Sequence, residues 1–88
     1  MYRITLASNC VNAECAEAAA RHITEEFTLR PWHKNVRCEW DGSRLLLHAE
    51  NDYDANGFAL VDEFSDAITA CIGGPLDGDI EVLSVAKV

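Results

Sequence analysis

The sequence predicts an α+β fold, a four-stranded antiparallel sheet with two helices in the order β-α-β-β-α-β. Three observations predict it. The step Asp41-Gly42 lies between two runs of alternating hydrophobicity, the strongest short-range signal for a β-hairpin. On each side of that hairpin is a stretch whose apolar residues recur every three or four positions, as on one face of a helix. Beyond each helical stretch comes another alternating one, so the chain is nearly symmetric about its hairpin.

Taken in order, Tyr2 to Ser8 is the first strand, with Tyr2, Ile4 and Leu6 on one face and Arg3, Thr5 and Ala7 on the other. Ser8-Asn9 breaks it, and Asn12 is the expected N-cap of the first helix, because its side chain can accept from an orphan backbone donor. Cys15, Ala19, Ile23 and Phe27, with Ala16 and Ala20 beside them, form a narrow apolar stripe, and the alanines permit close approach to a sheet. Arg30-Pro31 stops the helix, since a residue before proline avoids the α region. Residues 30–35 are expected as a linker.

The hairpin follows, with Val36, Cys38 and Trp40 facing inward on one arm and Leu45, Leu47 and Ala49 on the other. The two-residue loop is either Asp41-Gly42 or Gly42-Ser43, and both registers put the same residues on the same face. Asp52 and Asp54 are alternative N-caps for the second helix. Its buried stripe is Leu60, Val61, Phe64, Ala67, Ile68 and Cys71, with Asp62, Glu63 and Asp66 expected to face water. Gly73-Gly74-Pro75 should end it. Asp77-Gly78-Asp79 is a turn, and Ile80 to Val88 is a last strand that is apolar on both faces.

Right-handed crossovers would then place both helices on one face of the sheet, the ferredoxin-like plait, as a single domain over residues 1–88. Strands one and three would be central and strands two and four would be edges. The other sheet face is left bare. It is expected to show Arg3, Thr5, Arg37, Glu39, Arg44, Leu46 and His48, with either Leu83 and Val85 or Val82 and Ala86 from the last strand. The apolar content of that strand points to a homodimer formed by burying this face.

Composition narrows the function classes. The chain carries a net charge of −8, with 15 acidic side chains against 7 Lys and Arg. The first half balances, and the excess negative charge lies entirely after Arg44, which argues against nucleic acid as a partner. No apolar run is long enough to span a membrane. The opening Tyr2 to Ala7 stretch is too short and polar for a signal-peptide core. A cytoplasmic protein with reduced, largely core-facing cysteines is expected.

Several residue groups could carry chemistry. Arg37, Arg44 and His48 share the bare face and could hold a small anion. Trp32 lies in a basic, aromatic loop with Arg30, His33 and Lys34, and exposed tryptophans are enriched at binding hot spots. Asp62, Glu63 and Asp66 on the second helix would suit a basic protein. Cys10 and Cys15 flank the first strand–helix junction, where a metal pair could form, although the four-residue spacer fits no common ligand motif and Cys15 falls on the buried stripe. No metal or cofactor is therefore expected.

Catalysis has little support, because no nucleophile is evident beside His48. The loop Ser8 to Glu14 has no glycine, unlike the anion loop of acylphosphatases, and Trp40 is expected to face inward rather than stack bases as in RNA-recognition modules. The expected function is a non-enzymatic protein-interaction module acting as a homodimer or on a protein partner, basic in character. A sensor of small anionic ligands on the open sheet face is the alternative, and metal binding through Cys10 and Cys15 comes after it.

Overall fold

Alternation in the first stretch becomes strand β1 (Tyr2–Ser8), in which Ile4 and Leu6 are fully buried and Arg3 is exposed. The computed structural model describes residues 1–72 and 78–88. The further elements are α1 (Ala16–Phe27), β2 (Lys34–Trp40), β3 (Leu45–Asn51), α2 (Phe58–Ile72) and β4 (Ile80–Lys87). The four strands form one antiparallel sheet in the order β2-β3-β1-β4, so β1 and β3 are interior and β2 and β4 are edges. The class is α+β.

The core follows from two periodicities meeting. Ile4, Leu6, Leu45, Leu47 and Ala49 point to one side of the sheet. The same buried cluster includes Ala16, Ala19, Ala20, Ile23 and Phe27 of α1 and Leu60, Phe64, Ala67 and Ile68 of α2. Alanines on α1 let that helix sit close, while Phe27 and Phe64 fill the wider gaps. Each fully buried Leu, Ile or Phe contributes about 1.5–3 kcal/mol of transfer free energy.

Helix boundaries depend on side chains that reach back to the backbone. Asn12 does not cap α1 directly: its Oδ1 accepts from Cys15 N at 3.3 Å, which closes a separate turn, and α1 begins at Ala16. That shift leaves Cys15 exposed rather than on the buried stripe. Of the two acidic candidates for α2, the structure uses Asp54, whose carboxylate accepts from Ala59 N (3.2 Å) and Leu60 N (2.9 Å). These are orphan donors of the first turn, and an acidic group there also suits the helix dipole. Gly73-Gly74-Pro75 lies outside the described residues, as does Asp77 of the following turn.

The hairpin loop is Gly42-Ser43, flanked by Asp41 and Arg44. Asp41 N donates to Arg44 O at 3.1 Å. The Asp41 carboxylate replaces the second backbone bond, accepting from Arg44 N (2.7 Å) and Ser43 N (2.8 Å). Gly42 supplies the positive φ of 103° that the turn needs.

Two irregularities decide what the open sheet face displays. In β2, Lys34 pairs with Glu50 but Arg37 pairs with His48, so Asn35 and Val36 together oppose Ala49. This is a β-bulge, and Asn35 takes the left-handed conformation (φ 53°) that asparagine tolerates better than most residues. Strand pairing therefore starts at Lys34, inside the expected linker. In β4, Leu6 pairs with Val82 and Thr5 with Ser84, leaving Leu83 as an extra residue. Val82 and Val85 both pack on the core in consequence. Neither expected set for this strand is correct, because both assumed unbroken alternation. The outward side of β4 carries Glu81, Ser84 and Ala86, with Leu83 at 42% exposure, rather than a continuous apolar strip.

Gly57 precedes α2 at φ 81°, and a Cβ there would lie 3.3 Å from both Ile4 Cγ2 and Val82 Cγ1. Gly57→Ala should lower stability by about 1–3 kcal/mol in chemical denaturation, from the left-handed backbone together with crowding of the core; an unchanged midpoint would show that the backbone there is free to move. The Asp41 carboxyl is held below its ordinary range by the backbone N–H of Arg44, then that of Ser43. Its bonds support the hairpin above that range and are lost as pH falls through the lowered value. The Ser43 and Arg44 amide resonances should therefore titrate with a midpoint below 3.8, and a midpoint at or above 3.8 would contradict the geometry.

Candidate functional site

Among the described residues, three places gather chemically capable side chains: the open sheet face, the end of the fold around His33, and a pocket between the start of α1 and the end of α2.

On the open face, Arg37 of β2 stands directly opposite His48 of β3, and His48 stands opposite Thr5 of β1. His48 Nε2 is 3.1 Å from Glu39 Oε1, and its Nδ1 is 3.3 Å from Thr5 Oγ1. A carboxylate can only accept, so Nε2–H donates to Glu39 and Nδ1 accepts from the threonine hydroxyl. A hydroxyl partner for His48 is thus present: alternation put both residues on one face, and the β1–β3 register makes them neighbours. Thr5 sits on an interior strand whose backbone is held in ladders on both sides. The Thr5 and Glu39 contacts hold the His48 ring from both of its nitrogens.

Arg37 and His48 line a groove of about 550 Å³ at the β2 bulge, together with Arg3, Asn35 and Glu50. Arg3 Nε contacts Glu50 Oε2 at 3.2 Å, and Arg37 Nη2 lies 3.7 Å from Glu39 Oε1. Arg44, grouped with Arg37 and His48 from the sequence, is not part of this groove. It lies beyond the far end of β3, where Nη1 is 3.5 Å from Glu81 Oε2. Arg3 takes its place, brought in by the pairing of β1 with β3.

One residue before Lys34, His33 is buried, its side chain wholly inaccessible. Asn51 Oδ1 accepts from Tyr53 N (3.2 Å) and Asp54 N (2.8 Å), which turns Nδ2 toward His33 Nδ1 at 3.4 Å. His33 Nδ1 is therefore the acceptor, and Nε2–H donates to Glu63 Oε2 at 2.5 Å. Glu63 Oε1 also takes an ion pair from Arg30 Nε at 3.2 Å, and Arg30 lies over the Phe27 ring at 5.1 Å. Glu63 is consequently half-buried and committed within the chain, not facing water as the helical pattern implied.

Around this core two aromatic residues reach the surface. Trp32 and Tyr53 are each 50% exposed, and their rings lie 5.9 and 6.2 Å from the His33 ring. Tyr53 was not singled out in the sequence, because a lone tyrosine after a strand carries no periodic signal. Burial pushes its hydroxyl pKa up, reinforced by the nearby Glu63 and Asp54 carboxylates. Asp62 and Asp66 are exposed one turn apart on α2, flanking Glu63.

The third place collects cysteines. Cys10, Cys15 and Cys71 line one pocket of about 580 Å³ with His22, over a floor that includes Val11 and Ala19. All four cysteines are free thiols. Among the described residues no group of three or more His, Cys, Asp or Glu is placed to hold a metal ion. Cys38 is different in kind: burial, then the neighbouring Glu39, pushes its pKa up to about 12. Cys71 is also raised, by burial and by the nearby Cys15.

No helix among the described residues is long and apolar enough to cross a membrane. Compared with protein-family models, curated proteins and solved structures, the chain matches none.

The thiol environments set an order of reactivity. Cys15 is exposed, whereas at pH 8 a thiol with a pKa of about 12 carries a thiolate fraction on the order of one in ten thousand. Mass-spectrometric mapping after limited iodoacetamide treatment should find Cys15 modified first and Cys38 last. Early labelling of Cys38 would mean that β2 opens away from α1.

Proposed function

We propose that this domain is a ferredoxin-like plait, with both helices on one face of its sheet, and that it acts by binding a protein partner rather than by catalysis. The strand order β2-β3-β1-β4 and the joint packing of α1 and α2 onto Ile4, Leu6, Leu45 and Leu47 support the fold reading. The observation that carries the functional reading is the pair of half-exposed aromatic rings, Trp32 and Tyr53, packed around the buried His33, which is itself bonded to Glu63 of α2.

A tryptophan fixed by neighbours but still accessible offers a large contact area with little ordering entropy left to lose. Asp62 and Asp66 supply negative charge with no intramolecular partner among the described residues, whereas Glu63 is occupied by Arg30 and His33. The chain as a whole is strongly acidic, with a net charge of −8. These features suit a basic partner that places an apolar side chain against Trp32 and lysines or arginines against α2. The homodimer suggested by the sequence rested on an apolar β4 face, and with Val82 and Val85 turned inward, self-association is not part of this proposal.

In affinity capture, Trp32→Ala should weaken retention of the partner by roughly tenfold or more, as expected for a hot-spot aromatic. Asp62→Lys with Asp66→Lys should slow association and flatten its salt dependence. A captured set identical for wild type and both variants would remove this surface from consideration.

A further inference from the structure

The groove at the β2 bulge is separate from the aromatic and acidic surface, and it has a charge character opposite to that of the chain. Without the bulge, Lys34 and Arg37 would lie on opposite faces of β2, because side chains alternate strictly along a regular strand. The extra residue at Asn35–Val36 changes the parity, so that Lys34 faces Glu50 and Arg37 faces His48 on the same side of the sheet. Arg3, paired with Glu50 on β1, completes the group. Three of the seven Lys and Arg residues of an acidic chain are thereby collected at one end of one face. Bulges recur next to functional sites because they re-aim side chains in this way.

The cations are only partly engaged. Arg3 uses Nε on Glu50, which leaves its two terminal nitrogens as donors. Arg37 stands 3.7 Å from Glu39, beyond hydrogen-bond distance, and its side chain is 65% exposed. Lys34 is exposed and has no ion-pair partner among the described residues. His48, by contrast, has both ring nitrogens occupied by Glu39 and Thr5, so it walls the groove and holds Glu39 back.

We propose that this groove binds the phosphoryl group of a small metabolite, with Arg37 and Arg3 as the principal donors and Lys34 as a third charge. A planar carboxylate is satisfied by one guanidinium fork. A tetrahedral dianion accepts from several directions, which is what cations on three different strand positions provide. The groove, at about 550 Å³, has room for more of the ligand than its anion. Glu50, already on the groove wall, is placed to accept from a hydroxyl adjacent to the phosphoryl group.

The test is a titration of the isotopically labelled protein followed by amide chemical shifts, with inorganic phosphate in one arm and succinate in the other at constant ionic strength. Phosphate should produce saturable shifts at Arg3, Asn35 to Arg37 and His48, with succinate weaker. Arg37→Ala should weaken phosphate binding roughly tenfold or more while keeping a dispersed spectrum, since the side chain is largely in solvent. Arg44→Ala, at the far end of β3, should bind as wild type does. Absence of saturable shifts in both arms, binding of succinate alone, or equal binding by Arg37→Ala would each overturn the assignment.

Discussion

Much of this structure depends on one buried imidazole. His33 has no access to water, and a buried polar side chain without partners costs on the order of 1–3 kcal/mol. Its two nitrogens are satisfied from different elements, Glu63 on α2 and Asn51 at the end of β3. Satisfying them pulls together the α1–β2 connection, the β3–α2 connection and the body of α2. Asn51 then holds the backbone at Tyr53 and Asp54, and Asp54 in turn holds the first turn of α2. One tautomer of one histidine thus runs through to a helix start.

The same constraint places the surface groups. Trp32 and Lys34 are the chain neighbours of His33, so burying the imidazole brings the Trp32 ring to 5.9 Å from it and leads into β2 at Lys34. The aromatic surface and the bulged groove are consequently not independent features that happen to coexist. Both are positioned by a residue that itself cannot reach a ligand.

The sequence carried the element order, the inward hairpin residues and the helical stripes, because each is a periodicity summed over many side chains. Ile4, Leu6, Leu45, Leu47, Phe27 and Phe64 are buried as alternation and helical spacing imply. What it did not carry were single-residue events. A bulge inserts one residue and reverses the parity of everything beyond it, which is why Val82 and Val85 share a face and why Lys34 joins Arg37. Glu63 looked like a solvent-facing helix residue because its partners, Arg30 and His33, lie thirty or more positions earlier in the chain. Arg44 and His48 share alternation parity but stand four residues apart in the chain, Arg44 just outside β3, and parity says nothing about that distance.

Each bulge also falls on an edge strand, β2 on one side of the sheet and β4 on the other. An edge strand presents unpaired backbone groups, and a flat regular edge is a template onto which another chain can add. Here one edge is kinked at a left-handed asparagine and flanked by Lys34, and the other is broken at Leu83. Neither offers a long straight ladder for a foreign strand. The molecule is thereby guarded against growing its own sheet into a fibre, and recognition is left to side chains rather than to the backbone.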